Sequence, residues 1–205
     1  MVETKSPADA AQYNDSTLKA LSRAIAFSQG EFSLVIVRCN YQGLQQQMLQ
    51  RLKALCQPQY PITEFIIPPS ATTLYTTIQN YEHRELGRGK DSGNNRCEHR
   101  DSSHHDPLTS SPPHCALLIV GLESVVALEE LLTSTNQVRD EFRKRLTFPL
   151  ILWVNDQVLQ KLMRLAPDFA SWAATPLKFE LTTTELVNFL GQKAQMVFAC
   201  LLNSG

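Results

Sequence analysis

The stretch "FSLVIVRC" (Phe32–Cys39) decides how the rest of the chain is read. It is rich in β-branched residues and almost continuously apolar, the pattern of a strand covered on both faces in a parallel sheet; a strand with one wet face would alternate. It is therefore the expected central strand. Just beyond it, "LQQQMLQRLKALC" (Leu44–Cys56) sets Leu44, Met48, Leu49, Leu52 and Leu55 on one helical face, with glutamine and arginine opposite. Strand, short loop and amphipathic helix together open a βαβ unit.

The alternation continues outward from this unit. Pro58 and Pro61 end the helix, "ITEFIIP" (Ile62–Pro68) reads as a shorter second strand, and Ser70 begins a helix running through Leu74 and Ile78 to about Tyr81. "CALLIVGL" (Cys115–Leu122) is a third buried strand. The segment from Val125 to Leu146 reads as helical, broken near "TSTN" and ending in the charged "RDEFRKRL". "FPLILWVND" (Phe148–Asp156) is the fourth strand, and the helix "DQVLQKLMRL" is closed by Pro167. "PLKFEL" (Pro176–Leu181) is a short fifth strand, and Thr184 with Glu185 opens a last helix. On the N-terminal side, residues 1 to 15 are polar and expected to be flexible, and Ser16 is the expected cap of a helix carrying Leu18, Leu21, Ile25 and Phe27 to Gly30. The expected fold class is α/β: a five-stranded, doubly wound parallel sheet in a single domain over 16–203.

A different composition interrupts this pattern before strand three. Between residues 85 and 113 the chain carries almost no apolar side chain ("GRGKDSGNNRCEHRDSSHHDPLTSSPPH"), so a flexible, disordered insertion is expected. Loop closure costs only about 0.6 kcal/mol per doubling of length, so such an insertion need not divide the domain.

With 205 residues the chain can bury one good core. The net charge of -1 offers no electrostatic ground for binding nucleic acid or an anionic membrane. The odd count of five cysteines (Cys39, Cys56, Cys97, Cys115, Cys200) argues against a disulfide framework and for a reducing compartment. No apolar run approaches the roughly 20 residues of a membrane span, and the N-terminus lacks a signal-peptide pattern. A soluble, cytoplasmic protein is expected.

Ligands of open α/β sheets bind beyond the carboxyl ends of the strands, which singles out Arg38, Cys39, Asn40, Tyr41, Gln42 and Gly43 after strand one, Gly121, Leu122, Glu123 and Ser124 after strand three, and Asn155 with Asp156 after strand four. A phosphate loop needs the spacing G-x-x-x-x-G-K-[ST], so that backbone N–H groups wrap the phosphate, lysine neutralises it and the hydroxyl holds magnesium. Only Gly43 is in place, and no lysine lies between Lys19 and Lys53. Gly121 stands where a magnesium-organising aspartate would end its strand, and Glu123 falls two residues late.

The segments "FSLVIVRCNYQGLQQQMLQRL", "LLIVGLESVVALEELLTSTNQVRDEFRKR" and "FPLILWVNDQVLQKLMRLAPDFASWA" resemble the N-terminal domain of bacterial, chiefly cyanobacterial, signalling proteins related to the AAA-type and STAND P-loop ATPases, in which WD or tetratricopeptide repeats follow. The resemblance implies a P-loop NTPase-like topology. It also implies that Asn155 is the polar sensor closing strand four, and that the vestigial site comprises Asn40, Tyr41, Gln42, Gly43, Glu123 and Asn155. Hydrolysis does not carry over, because neither the Walker A nor the Walker B residues map onto this chain. The expected function is a non-catalytic module that binds another protein, with no catalytic residue, cofactor or metal, and no nucleic acid or membrane partner. The alternative is a switch holding an adenine nucleotide weakly through main-chain groups near Asn40–Gly43 and Asn155.

Three sharper readings have plainer counterparts. Cys97, His99, His104, His105, His114 and Cys115 have metal-ligand chemistry, but their spacing matches no pair of zinc knuckles, and a solvated histidine-rich loop explains them. Glu123, Asp156 and Asn155 would serve an acid/base site, but equally cap a helix. "RDEFRKR" (Arg139–Arg145) could touch a partner, yet its mixed charges fit a solvated helix face. Cys39 is expected to be a buried structural thiol, Trp153 a core residue, and Phe169 with Trp172 an anchor for the segment after helix four.

Overall fold

A computed structural model describes residues 7–88 and 116–181, together with 185–187, 189–191 and 194–195. The elements are α1 (Pro7–Phe27), β1 (Ser33–Arg38), α2 (Gln42–Cys56), β2 (Ile62–Ile66), α3 (Leu74–Arg88), β3 (Ala116–Val120), a single 3-10 turn (Leu122–Ser124), α4 (Leu128–Gln137), α5 (Arg139–Arg145), β4 (Pro149–Val154), α6 (Asp156–Leu165), α7 (Pro167–Ala170) and β5 (Leu177–Lys178). All five strands lie in one parallel sheet, in the order β2-β3-β4-β1-β5. The expected α/β class and five-stranded parallel sheet are therefore what the chain forms. The expected insertion, apart from its first residues in α3, lies outside the described residues, as does much of the expected last helix.

The two faces of the sheet hold separate cores, and strand alternation sorts side chains between them. On one face Leu34, Ile36, Leu117, Ile119, Leu150 and Leu152 meet α3 to α7. On the other, Val37, Leu118, Ile151 and Trp153 meet α1 and α2. The winding explains this division. The connections β2→β3, β3→β4 and β4→β5 all advance in one direction across the sheet, while β1→β2 runs back to the far edge. Right-handed crossovers must then place the helix of the reversed connection, α2, on the face opposite the others.

Helix α1 starts at Pro7, nine residues before Ser16, so residues 7–15 are helical where a loose terminus was expected. Ser16 is interior to the helix and donates to the Tyr13 carbonyl. The reason is tertiary. Asn14 is buried and clamps the backbone of Glu180 from both sides, donating to its oxygen at 2.7 Å and accepting from its N–H at 3.1 Å. Asp15 pairs with Arg51 of α2 at 2.7 Å. Polar residues that look solvent-bound in sequence are here fastened to the chain beside β5 and to α2.

The break expected near "TSTN" falls at Val138, between α4 and α5. Phe169 is fully buried, and Trp172 packs partly buried against the same core, which is the anchoring expected of them. α3 begins at Leu74, four residues after Ser70, and continues to Arg88. In the charged α5, Lys144 pairs with Glu141 at 2.8 Å.

Candidate functional site

The reversal of winding at β1 opens a crevice beyond the carboxyl ends of β1 and β4, because α2 leaves β1 towards one face and α6 leaves β4 towards the other. A pocket of about 240 Å³ occupies it, walled by Asn40, Gln42, Gln45, Glu123 and Asn155, with Cys39, Trp153 and Val154 completing the lining. Four of the six sequence-derived candidates thus meet in one place, contributed by the ends of three strands. Tyr41 and Gly43 do not join them. Tyr41 turns away to pack edge-on against Phe189, at 5.5 Å between ring centres. Gly43 lies in the first turn of α2, and a Cβ there would meet nothing within 4 Å, so neither a close approach nor a strained turn requires glycine.

The connection between β1 and α2 is three residues long, Cys39 to Tyr41. Its polar groups are already committed. Asn40 accepts the Asp156 backbone N–H at 2.9 Å, and Asn155 accepts the Val158 N–H at 2.9 Å as the N-cap of α6. Between these residues lies an interaction joining positions 118 apart: the Arg38 guanidinium grips both carboxylate oxygens of Asp156. The hydrogen bonds from Arg38, then that from Asn40, hold the Asp156 carboxyl below its ordinary range against the cost of partial burial, and the same pairing raises Arg38. Lys178 at the end of β5 is in turn paired with Glu180. Each basic side chain on the described ends of β1 and β5 therefore has a carboxylate, and the pocket lining itself contains one carboxylate, Glu123, and no cation.

This pairing has a pH signature. Asp156 titrates lower in the folded chain than its unfolded value of about 3.9, so its contribution is present above that pH and is lost as pH falls through the folded value. The stability difference between the natural chain and Arg38→Gln should be full above about pH 4 and close below it, which thermal melts across the acid range will show. An unchanged gap at low pH would mean that Arg38 acts by packing alone.

Trp153 is 1% exposed and stacks on Phe179 at 5.3 Å with an interplanar angle of 5°. Cys39 is buried beside it, and burial pushes its thiol pKa up. A backbone hydrogen bond at Tyr41 opposes that shift, as does the indole N–H of Trp153, which leans toward the sulfur. The N–H does not reach hydrogen-bond geometry, and Trp153 Nε1 is left buried without an acceptor. Cys39 is thus a protonated structural thiol, as its apolar surroundings suggested.

A larger pocket of about 510 Å³ adjoins the first through Glu123 and runs along the 3-10 turn, α4 and α6. Sequence reading missed it, together with Gln45 and the Arg38–Asp156 pair. Arg38 and Asp156 were each placed at the ligand end by the sequence, but their pairing could not be read from spacing. No family model matches this chain, and no curated protein or solved structure is significantly similar to it. Among the described residues no group of three or more His, Cys, Asp or Glu is arranged to hold a metal. The histidines and cysteines of the sequence-derived metal candidate lie outside the described residues. No helix among those described is long and apolar enough to cross a membrane.

Proposed function

We propose that this chain is a non-catalytic protein-binding module of P-loop layout, whose switch-point crevice has been closed to phosphate. The carrying observation is the bidentate Arg38–Asp156 pair set beside a three-residue β1–α2 connection. A phosphate needs several free backbone N–H groups and an unpaired cation at this point. The cation present is neutralised in place, and the one carboxylate in the pocket wall, Glu123, repels anions. The reading of a degenerate AAA/STAND-type domain is supported by the reversal of winding, which opens the crevice at the junction of strand and helix that a phosphate loop would occupy.

Calorimetric titration with ATP and ADP, with and without magnesium, tests the reading. No saturable heat is expected. A dissociation constant tighter than about 100 μM, roughly 5.5 kcal/mol of binding free energy, would overturn it in favour of an adenine-nucleotide switch.

A further inference from the structure

The sheet ends at β2 with the place of a further strand open. β2 bonds β3 on one side alone. The Ile67 N–H donates to the Val120 carbonyl at 3.0 Å, so Thr63, Phe65 and Ile67 turn their main-chain groups to β3, and alternation turns those of Ile62, Glu64 and Ile66 outward. Among the described residues these outward groups have no partner. Edge strands are normally guarded by brevity, lysine, proline or a bulge. The opposite edge, β5, is two residues long. β2 runs five residues without lysine, proline or bulge, its one charge, Glu64, is engaged by Lys53 at 2.7 Å, and Ile66 is 68% exposed. Helix α3 overhangs this edge. Thr73, Thr76, Thr77, Asn80 and Arg84 share one stripe of the helix, and with the ring pair of Phe65 and Tyr81 they wall a cleft of about 360 Å³. Tyr75, on the other side of α3, packs on Phe142 of α5, so the stripe faces away from the neighbouring helices and over β2. Arg84 is the one charged side chain of the described lining and has no ion pair among the described residues.

We infer that this edge is the docking site for an extended, acidic segment of a partner protein, which adds to the sheet as a sixth strand beside β2. Its main chain pairs with Ile62, Glu64 and Ile66. Its side chains on one face enter the cleft, where a carboxylate meets Arg84, and those on the other face cover Ile66. The inference rests on the proposed protein-binding function and gives it a surface outside the crevice. A row of alternating main-chain donors and acceptors matches a strand, and the unpaired Arg84 among threonine hydroxyls and an amide favours an acidic one over a basic one. A second copy fits less well: the two-fold pairing that uses all five residues of β2 sets Glu64 directly opposite its own counterpart.

A short fluorescein-labelled peptide in which valine alternates with aspartate is the probe, titrated by anisotropy into the full chain at low salt. It should bind saturably and slow amide hydrogen exchange at Glu64 and Ile66. The same peptide with lysine for aspartate should not bind, nor should the aspartate peptide with every amide N-methylated, which keeps the side chains and removes the main-chain donors. Ile66→Pro deletes one outward N–H and none of the bonds to β3, and should weaken binding roughly tenfold, the upper range for one net hydrogen bond. Arg84→Gln should weaken it by up to about fivefold, the range for an exposed ion pair. Arg23→Gln, exposed on α1 on the opposite face of the sheet, should leave it unchanged. Far-UV dichroism and melting verify that the variants are folded, and the methylated peptide tests the edge on the natural chain. Absent binding, equal binding of the lysine or methylated peptide, unprotected Glu64 and Ile66 amides, unchanged affinity in Ile66→Pro or Arg84→Gln, or equal weakening by Arg23→Gln would each overturn the inference. So would a dimer in sedimentation that Ile66→Pro dissociates, which would give the edge to a second copy. Titrating ATP into the same protein separates the two failures: nucleotide binding defeats the proposed function, while peptide failure without nucleotide binding defeats the docking site alone.

Discussion

Phe142→Ala is expected to lower the unfolding free energy by about 3–5 kcal/mol, the range for emptying an aromatic site in a core. Phe142 is the one apolar residue of α5, a helix otherwise made of Arg139, Asp140, Glu141, Arg143, Lys144 and Arg145, and it is fully buried. Its ring meets Phe169 at 5.0 Å, Tyr75 at 5.2 Å and Phe32 at 6.5 Å. It therefore ties α5 to α7, to α3 and to the chain entering β1. Removing it leaves a cavity whose walls belong to three other segments and cannot all collapse inward. For a chain of this length, 1 kcal/mol moves the melting temperature by about 2–4 °C, so a fall on the order of 10 °C should appear in a thermal melt. Phe142→Leu should cost under about half as much, since most of the volume is kept. A loss below about 1 kcal/mol for the alanine variant would show that α5 is not docked as described.

Gly121→Val is the second large effect, about 2–3 kcal/mol, and its cause is backbone geometry. Gly121 ends β3 with φ +85° and ψ 12°, in the left-handed region that a β-branched residue avoids. A Cβ there would make only ordinary contacts, 3.4 Å from Ile66 Cγ2 and 3.8 Å from the Ile67 carbonyl, so the cost lies in the backbone conformation. Its carbonyl accepts from the Ser124 N–H at 3.0 Å and from the Ser124 hydroxyl at 2.7 Å, closing the turn that presents Glu123 to both pockets. Gly121→Asn should cost much less, because asparagine tolerates this conformation. Urea unfolding of the three proteins gives the comparison, and equal losses for valine and asparagine would refute the conformational argument. The position that reads in sequence as a missing acidic residue is thus a glycine for a reason of its own: the chain must turn sharply between β3 and the pockets.

The strands were legible because burial on both faces writes itself into composition. Phe32–Cys39, Cys115–Leu122 and Phe148–Asp156 contain the observed β1, β3 and β4 with one or two extra residues at the ends. The start of α1 was not legible, because Asn14 and Asp15 are polar and their partners, Glu180 and Arg51, lie far along the chain. The site was half legible. The rule that ligands gather beyond strand ends collected Asn40, Gln42, Glu123 and Asn155, since each follows a recognisable strand. It gathered Tyr41 and Gly43 with equal force, because position in a loop says nothing about which way a side chain turns.

What the sequence determined by itself is the α/β class, the parallel sheet and the absence of a complete phosphate loop, because hydrophobic period and motif spacing are local properties of the chain. Only the tertiary structure decided the strand order, the pairing of Arg38 with Asp156 and the meeting of Asn40, Gln42, Glu123 and Asn155 around one pocket. Those depend on which residues the winding brings together across intervals of tens to more than a hundred positions, as with the 118 that separate Arg38 from Asp156. No local pattern encodes such distances, so the pairing of charges around the crevice exists only in the folded chain.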